Sequence, residues 1–188
     1  MKVDIDTRQL IDWVTYFHGM YEPQMSVLFE KLLGLDGVAV DVGANVGAHT
    51  LTLSRLAGAN GRIVAFEPNP EIRQKLHRNV QLNALNNVSI FDCALGKSSE
   101  ILQLRVPRKD SAEGANPGLA SLMALNTPHD CVEVVVRRFD DVADELAIQR
   151  FDLIKIDVQG GEYAILEGAA KTFRESVFFA EIEVSFIE

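Results

Sequence analysis

A chain of 188 residues is long enough to bury one full core and too short for two ordinary domains, so one domain is expected over 1–188, with cap helices in 1–35 and the core in 36–188. With 47% hydrophobic and 24% charged residues the composition is globular, no apolar run approaches the roughly 20 residues of a membrane helix, and a net charge of −9 disfavours a nucleic-acid partner. The start carries no secretory-type apolar segment, and Cys93 and Cys131 lack disulfide-scaffold or zinc spacing, so a cytoplasmic protein without a metal is expected.

Residues 1–21 predict only a peripheral helix or cap, with Trp13, Tyr16, Phe17 and Met20 in the second half. Pro23 then opens a helix carrying Met25, Leu28, Phe29 and Leu32 at helical spacing, with Gly34 as its stop. The apolar run Val38–Val42 predicts a buried strand that halts at Gly43, and Gly47 opens a run of helix formers to about Ala57. Strand, glycine turn and helix together bring backbone N–H groups and a positive helix end to one point, where an anionic or strongly polar ligand is expected. The run Gly43, Ala44, Asn45, Val46, Gly47 has neither the G-x-G-x-x-G of a dinucleotide site nor the Lys-Ser/Thr of a phosphate loop.

Arg62–Phe66 is a second strand, ending at Glu67, which stands where nucleotide-binding sheets place the acid that accepts ribose hydroxyls. Asn69 and Pro70 predict an N-cap and first helical residue, with Ile72, Leu76 and Val80 on one stripe and Asn86 and Asn87 as the end. Val88–Leu95 is a third strand, finishing in Asp92, Cys93 and Ala94. Strands alternating with helices imply parallel pairing and right-handed crossovers. After Gly96 the alternating Leu102, Leu104, Val106 and Val132, Val134, Val136 predict a hairpin, and the Gly-, Pro-, Asn- and Ser-rich stretch from Pro107 to Asp130 predicts a mobile lid.

Asp140 is expected to cap a short helix through Leu146, and Phe151–Val158 to return as a buried strand. Lys155 and Asp157, two apart, share a face of that strand and need a partner or a solvent-open end. A structural ion pair and a site beside the reacting group both satisfy this. After Gly160 and Gly161, a helix starting at Glu162 leads to a last strand, Val177–Val184, with Glu181 and Glu183 on one face.

Tyr21-Glu22-Pro23, DVGANVGAHTLTL from Asp41, AFEPNP from Ala65, LNALNNV from Leu82, VRRFDDV from Val136 and KIDVQGGEYAILEGA from Lys155 together resemble the FkbM-type family of S-adenosylmethionine-dependent methyltransferases. The resemblance covers Tyr21 to Glu183 and departs at Gln159, where family members often carry glutamate. It implies an α/β, Rossmann-like three-layer sandwich with a mostly parallel sheet of order 3-2-1-4-5, a hairpin after strand 3, and two final strands missing here. A partial chain is therefore expected, or a second subunit over the edge from Val177 to Ile187. The resemblance implies that Asp41, Gly43, Ala44, Asn45 and Gly47 hold the methionine part of S-adenosylmethionine. It implies also that Glu67, with Asn69 beside it, holds the ribose hydroxyls, and that Asp92, Cys93 and Ala94 hold the adenine. The expected reaction is O-methylation of a small metabolite, glycan or lipid, with Asp157, His49 or Glu181 as base and Lys155 nearby. The alternatives are a non-catalytic cofactor-binding module and a nucleotide-sugar or NAD-dependent oxidoreductase.

Overall fold

The computed structural model of the chain describes residues 1–108, 120–122 and 128–183. In order, the elements are α1 (Leu10–His18), α2 (Pro23–Leu32), β1 (Val38–Val42), α3 (Ala48–Ala57), β2 (Arg62–Phe66), α4 (Pro70–Leu82), β3 (Val88–Phe91), β4 (Cys93–Leu95), β5 (Glu100–Pro107), β6 (His129–Arg137), α5 (Phe139–Glu145), β7 (Phe151–Ile156), α6 (Glu162–Gly168), α7 (Ala170–Ser176) and β8 (Val177–Ile182). The main sheet has the order β3-β2-β1-β7-β8, with every neighbouring pair parallel. This is the expected Rossmann-like arrangement, with β7 and β8 as the fourth and fifth strands.

Successive strand residues point to opposite faces, so each strand feeds two cores. Val40, Val42, Val64, Phe66, Ile154 and Ile156 pack with Phe139 and Val142 of α5 and Ile165 of α6. Ala39, Ile63 and Leu153 pack on the other face with Phe29 of α2 and Leu53 and Ala57 of α3. A one-residue slip of β1 would exchange Val40 and Val42 with Asp41, so burial at about 1.5–3 kcal/mol per large aliphatic side chain sets the register.

The N-terminal segment is strapped to α4, which offers Lys75, Asn79 and Asn83 one turn apart. The Lys75 ammonium pairs with the buried Asp12 carboxylate of α1. Asn79 Oδ1 accepts the Asp4 N–H at 2.7 Å and Asn83 Oδ1 the Lys2 N–H at 2.8 Å. Asn79 also donates to the Val46 carbonyl at 2.8 Å, so α4 ties the N-terminal cap to the glycine bend.

Four elements differ from expectation. The run Val88–Leu95 is two strands: β3 pairs with β2, and after exposed Asp92 the chain enters a second sheet, β4-β6-β5, in which Cys93 pairs with Val135. Helix α4 ends at Leu82, and Asn87 belongs instead to α3, donating to the Ser54 and Gly58 carbonyls at 3.1 and 2.8 Å and accepting the Ser54 hydroxyl at 2.6 Å. Asp140 caps nothing in α5; it accepts the Thr172 N–H and hydroxyl at 2.9 and 2.8 Å and so ties α5 to α7. Both ends of the expected lid are strand, since β5 runs through Pro107 and β6 begins at His129; 109–119 and 123–127 lie outside the described residues, and between them Ser121 pairs with Arg105. Strand β8 ends at Ile182, and Val184 also lies outside the described residues. No helix of the described residues is long and apolar enough to cross a membrane.

The Asn87 contacts carry a prediction. Asn87→Ala leaves the buried Ser54 hydroxyl without its acceptor and takes one of two donors from the Ser54 and Gly58 carbonyls, which keep the Gly58 and Gly61 N–H groups, so urea denaturation should show a loss of about 1–3 kcal/mol.

Candidate active site

Beyond Val42 the chain turns through three left-handed residues, Gly43 (φ +79°), Asn45 (φ +51°) and Gly47 (φ +94°). A side chain on Gly43 would overlap the Asp157 carbonyl oxygen, so glycine here is what lets the ends of β1 and β7 meet. The bend's N–H groups are all engaged within the protein. Gly43 and Ala44 donate to the Phe66 carbonyl at 3.1 and 2.9 Å, and Gly47 donates to the Ala44 carbonyl at 2.9 Å. Val46 donates to Asn45 Oδ1 at 2.7 Å, and Asn45 to Glu67 Oε2 at 2.9 Å. Residues 43–47 therefore keep no N–H for an anion, and the expected cradle is not built from the bend itself. What the bend holds is a carboxylate.

That carboxylate, Glu67 at the tip of β2, is buried and turned toward the bend. Its Oε1 accepts the Asn69 N–H at 2.8 Å, so each oxygen takes one backbone donor and keeps a further lone pair. Burial pushes its pKa up to about 7, against the pull of those two N–H groups and of Arg73. Asn69 caps α4 through Oδ1, at 3.1 Å from the Glu71 N–H, and its buried Nδ2 has no partner among the described residues.

A charged row crosses the sheet one strand over. Asp41, Lys155 and Glu181 are register partners on β1, β7 and β8 and so share a face. Lys155 Nζ lies 3.4 Å from both Asp41 Oδ1 and Asp157 Oδ2. The Thr50 hydroxyl donates to Asp41 Oδ2 at 2.6 Å, tying α3 to the same row. Burial opposes the charge on Lys155, but Asp41, Asp157 and Glu181 outweigh it and hold the ammonium above the ordinary lysine range. Burial likewise raises Glu181, in part offset by Lys155.

Above this row sits His49, buried in the first turn of α3, its ring edge-on to Phe29 at 5.5 Å and tilted against Tyr21 at 5.7 Å. Its Nε2 is 3.0 Å from Glu22 Oε2. Burial and Lys155 lower its pKa, with Asp41 and Glu22 pulling the other way, so the imidazole is neutral. Tyr21 is pushed up to about 12 by burial and by Glu22, Asp157 and Glu183, and stays a phenol.

These groups border a cavity of about 230 Å³ over the carboxyl ends of β1, β2 and β7, slightly below the roughly 300–1,000 Å³ of most small-ligand sites. Of the residues expected from sequence, Gly43, Ala44, Asn45, Glu67, Cys93 and Ala94 line one part of it. His49, Lys155 and Asp157 line it as well. Asp41 and Asn69 are buried behind this wall, Gly47 sits against Leu76, Asp92 is exposed at the break between β3 and β4, and Glu181 stands beside Lys155 outside the lining. Burial pushes Cys93 up to about 11, so its contribution is an apolar thiol. Gln159, the point of departure from the family pattern, lines the cavity too, and sequence reasoning gave no site role to Tyr21, Leu104 or Leu122, which also line it, or to Glu22, which binds His49. Of these four, Tyr21 and Glu22 carry a signal in the sequence, the Tyr-Glu-Pro run of the family resemblance, which also marks a helix start.

A family model described as "Methyltransferase FkbM domain" matches residues 41–188. "Methyltransferase 1" of Beauveria bassiana is 30% identical, over 71% of this chain and 58% of the relative. "2-O-methyltransferase NoeI" of Sinorhizobium fredii is 23% identical, over 76% of this chain and 61% of the relative. The chain thus spans about three fifths of the length of these two curated relatives. The crystal structure of methyltransferase FkbM from Methylobacillus flagellatus shares the fold, with a TM-score of 0.50 and 20% identity, over 87% of this chain and 38% of that one.

Proposed function

The chain belongs to the FkbM methyltransferase family, and from that premise we propose that it uses S-adenosylmethionine to methylate a hydroxyl of a small metabolite, glycan or lipid. The observation that carries this reading is Glu67: a buried carboxylate at the tip of β2 with one lone pair left on each oxygen suits the two hydroxyls of a ribose. S-adenosylmethionine supplies, when bound, a methyl group on a positive sulfur. Glu67 would grip the diol, and the apolar wall of Phe66, Ile72 and Cys93 would take the adenine. The protein's remaining task is to align the acceptor oxygen, exclude water and receive its proton. Lys155, held charged by three acids, is not a base, whereas Asp157 and neutral His49 both face the cavity. Oxygen as the acceptor atom is supported by the name of the S. fredii relative. An NAD-dependent oxidoreductase is disfavoured, because the bend has no N–H left for a pyrophosphate.

Titration calorimetry with S-adenosylhomocysteine tests the assignment. Glu67→Ala should weaken binding roughly 10- to 100-fold, the worth of charge-assisted hydrogen bonds at about 1.5–3 kcal/mol. The diol favours ionised Glu67, whose free-state pKa is about 7, so wild-type affinity should fall by up to about tenfold per unit as pH drops below 7. Glu67→Gln should flatten that dependence. Wild-type protein that binds neither S-adenosylmethionine nor S-adenosylhomocysteine would sink the reading, and binding without methyl transfer to any hydroxylated acceptor would point to a non-catalytic module.

A further inference from the structure

We propose that Glu22 is a positioning residue: its carboxylate fixes His49 as the Nε2–H tautomer and leaves Nδ1 as the acceptor for the proton of the hydroxyl being methylated. The proposal rests on the methyl-transfer reading above and adds to it a chosen base and the residue that orients it. Its foundation is the 3.0 Å contact between His49 Nε2 and Glu22 Oε2 in a wall of the cavity.

The local backbone is unusual at Glu22. Glu22 precedes Pro23 as the N-cap of α2 but adopts a left-handed conformation, φ +43°, and its side chain makes no capping bond. An N-cap carboxylate ordinarily turns back onto its own helix. Here it is aimed across at α3, in a strained geometry of the kind that persists where the surroundings require it. His49 stands in the first turn of α3, where the helix dipole disfavours a positive ring. The groups facing it are Glu22 and Tyr21 from the entry to α2, Lys155 from β7 and Asp41 from β1, with the Phe29 ring closing one side. With Glu22 accepting the hydrogen bond from Nε2–H, the other ring nitrogen, Nδ1, keeps its lone pair.

In the transfer the acceptor oxygen bonds to the methyl carbon as the carbon–sulfur bond breaks and its electron pair stays on sulfur. The hydroxyl proton passes to His49 Nδ1. The imidazolium so formed faces the Glu22 carboxylate, which stabilises it as it appears. Tying α2 to α3 would need only a hydrogen bond. A base would need the negative charge as well.

Long-range proton–nitrogen NMR of the full chain, alone and with S-adenosylhomocysteine, separates these roles; His49→Gln identifies the His49 signals among the four histidines. The expected result at pH 7 is a neutral His49 protonated on Nε2, with Glu22→Ala giving a tautomer mixture. The near-isosteric Glu22→Gln should keep the tautomer, bind S-adenosylhomocysteine within about twofold of wild type, and lower kcat roughly 10- to 100-fold with little change in KM. An Nδ1–H tautomer, a doubly protonated ring at pH 7, or His49 signals unmoved by Glu22→Ala would overturn the proposal even where cofactor binding is intact. Absence of cofactor binding with the expected tautomer would instead sink the methyl-transfer reading on which it rests.

Discussion

Replacing Gly43 by alanine is expected to remove a large part of the chain's stability, about 2–5 kcal/mol. Two penalties coincide there. The backbone is left-handed, φ +79°, which costs an L-residue about 1–2 kcal/mol. The new Cβ would also overlap the Asp157 carbonyl oxygen, and that oxygen cannot move independently, because the Asp157 N–H donates to the Val42 carbonyl at 3.1 Å. Forcing β1 and β7 apart adds about 1–3 kcal/mol of overpacking, for a total near 2–5 kcal/mol against the roughly 5–15 kcal/mol by which domains are stable. Urea denaturation should show the loss directly, and variant protein that remains folded should bind S-adenosylhomocysteine more weakly, since Asn45 and Glu67 depend on the same bend. Wild-type stability in Gly43→Ala would mean that the two strand ends do not meet as described.

The contrast between Gly43 and its neighbours shows what the amino-acid sequence makes legible. A run such as Val38–Val42, bounded by glycine, can be little other than a buried strand, and repeating the pattern through Arg62–Phe66 and Phe151–Ile156 leads to the parallel sheet. Glu67 could be singled out because its place at a strand tip is a one-dimensional fact. The fate of the bend's N–H groups is not: the Phe66 carbonyl that takes two of them lies on another strand, and no local pattern announces it. The same holds for Val88–Leu95, where the apolar run continues through Cys93 and only Asp92 marks the change of sheet. Glu22 was hidden for a related reason, since a residue before proline at a helix start has an adequate local explanation, and its partner is 27 residues away.

Lys155→Met is expected to be the most damaging change in the charged row, with a loss of about 3–5 kcal/mol in urea denaturation at neutral pH. Asp41 is fully buried, and without the ammonium it keeps only the Thr50 hydroxyl on Oδ2, with Oδ1 facing nothing. In the wild type the raised pKa of Lys155 places its stabilising contribution below the ordinary lysine range, where it is fully present, and the loss comes only as pH rises through the folded value above that range. Lys155 therefore adds no pH dependence of its own near neutral pH. Asp41→Asn combined with Lys155→Met removes both charges and keeps an acceptor for Thr50, so it should recover most of the lost stability, as replaced buried ion pairs generally do. The double variant also separates the two roles open to Lys155. If the row only holds β1 to β7, a restored double variant transfers methyl groups at close to the wild-type rate. If Lys155 touches the acceptor from its place in the cavity wall, stability returns while kcat stays low.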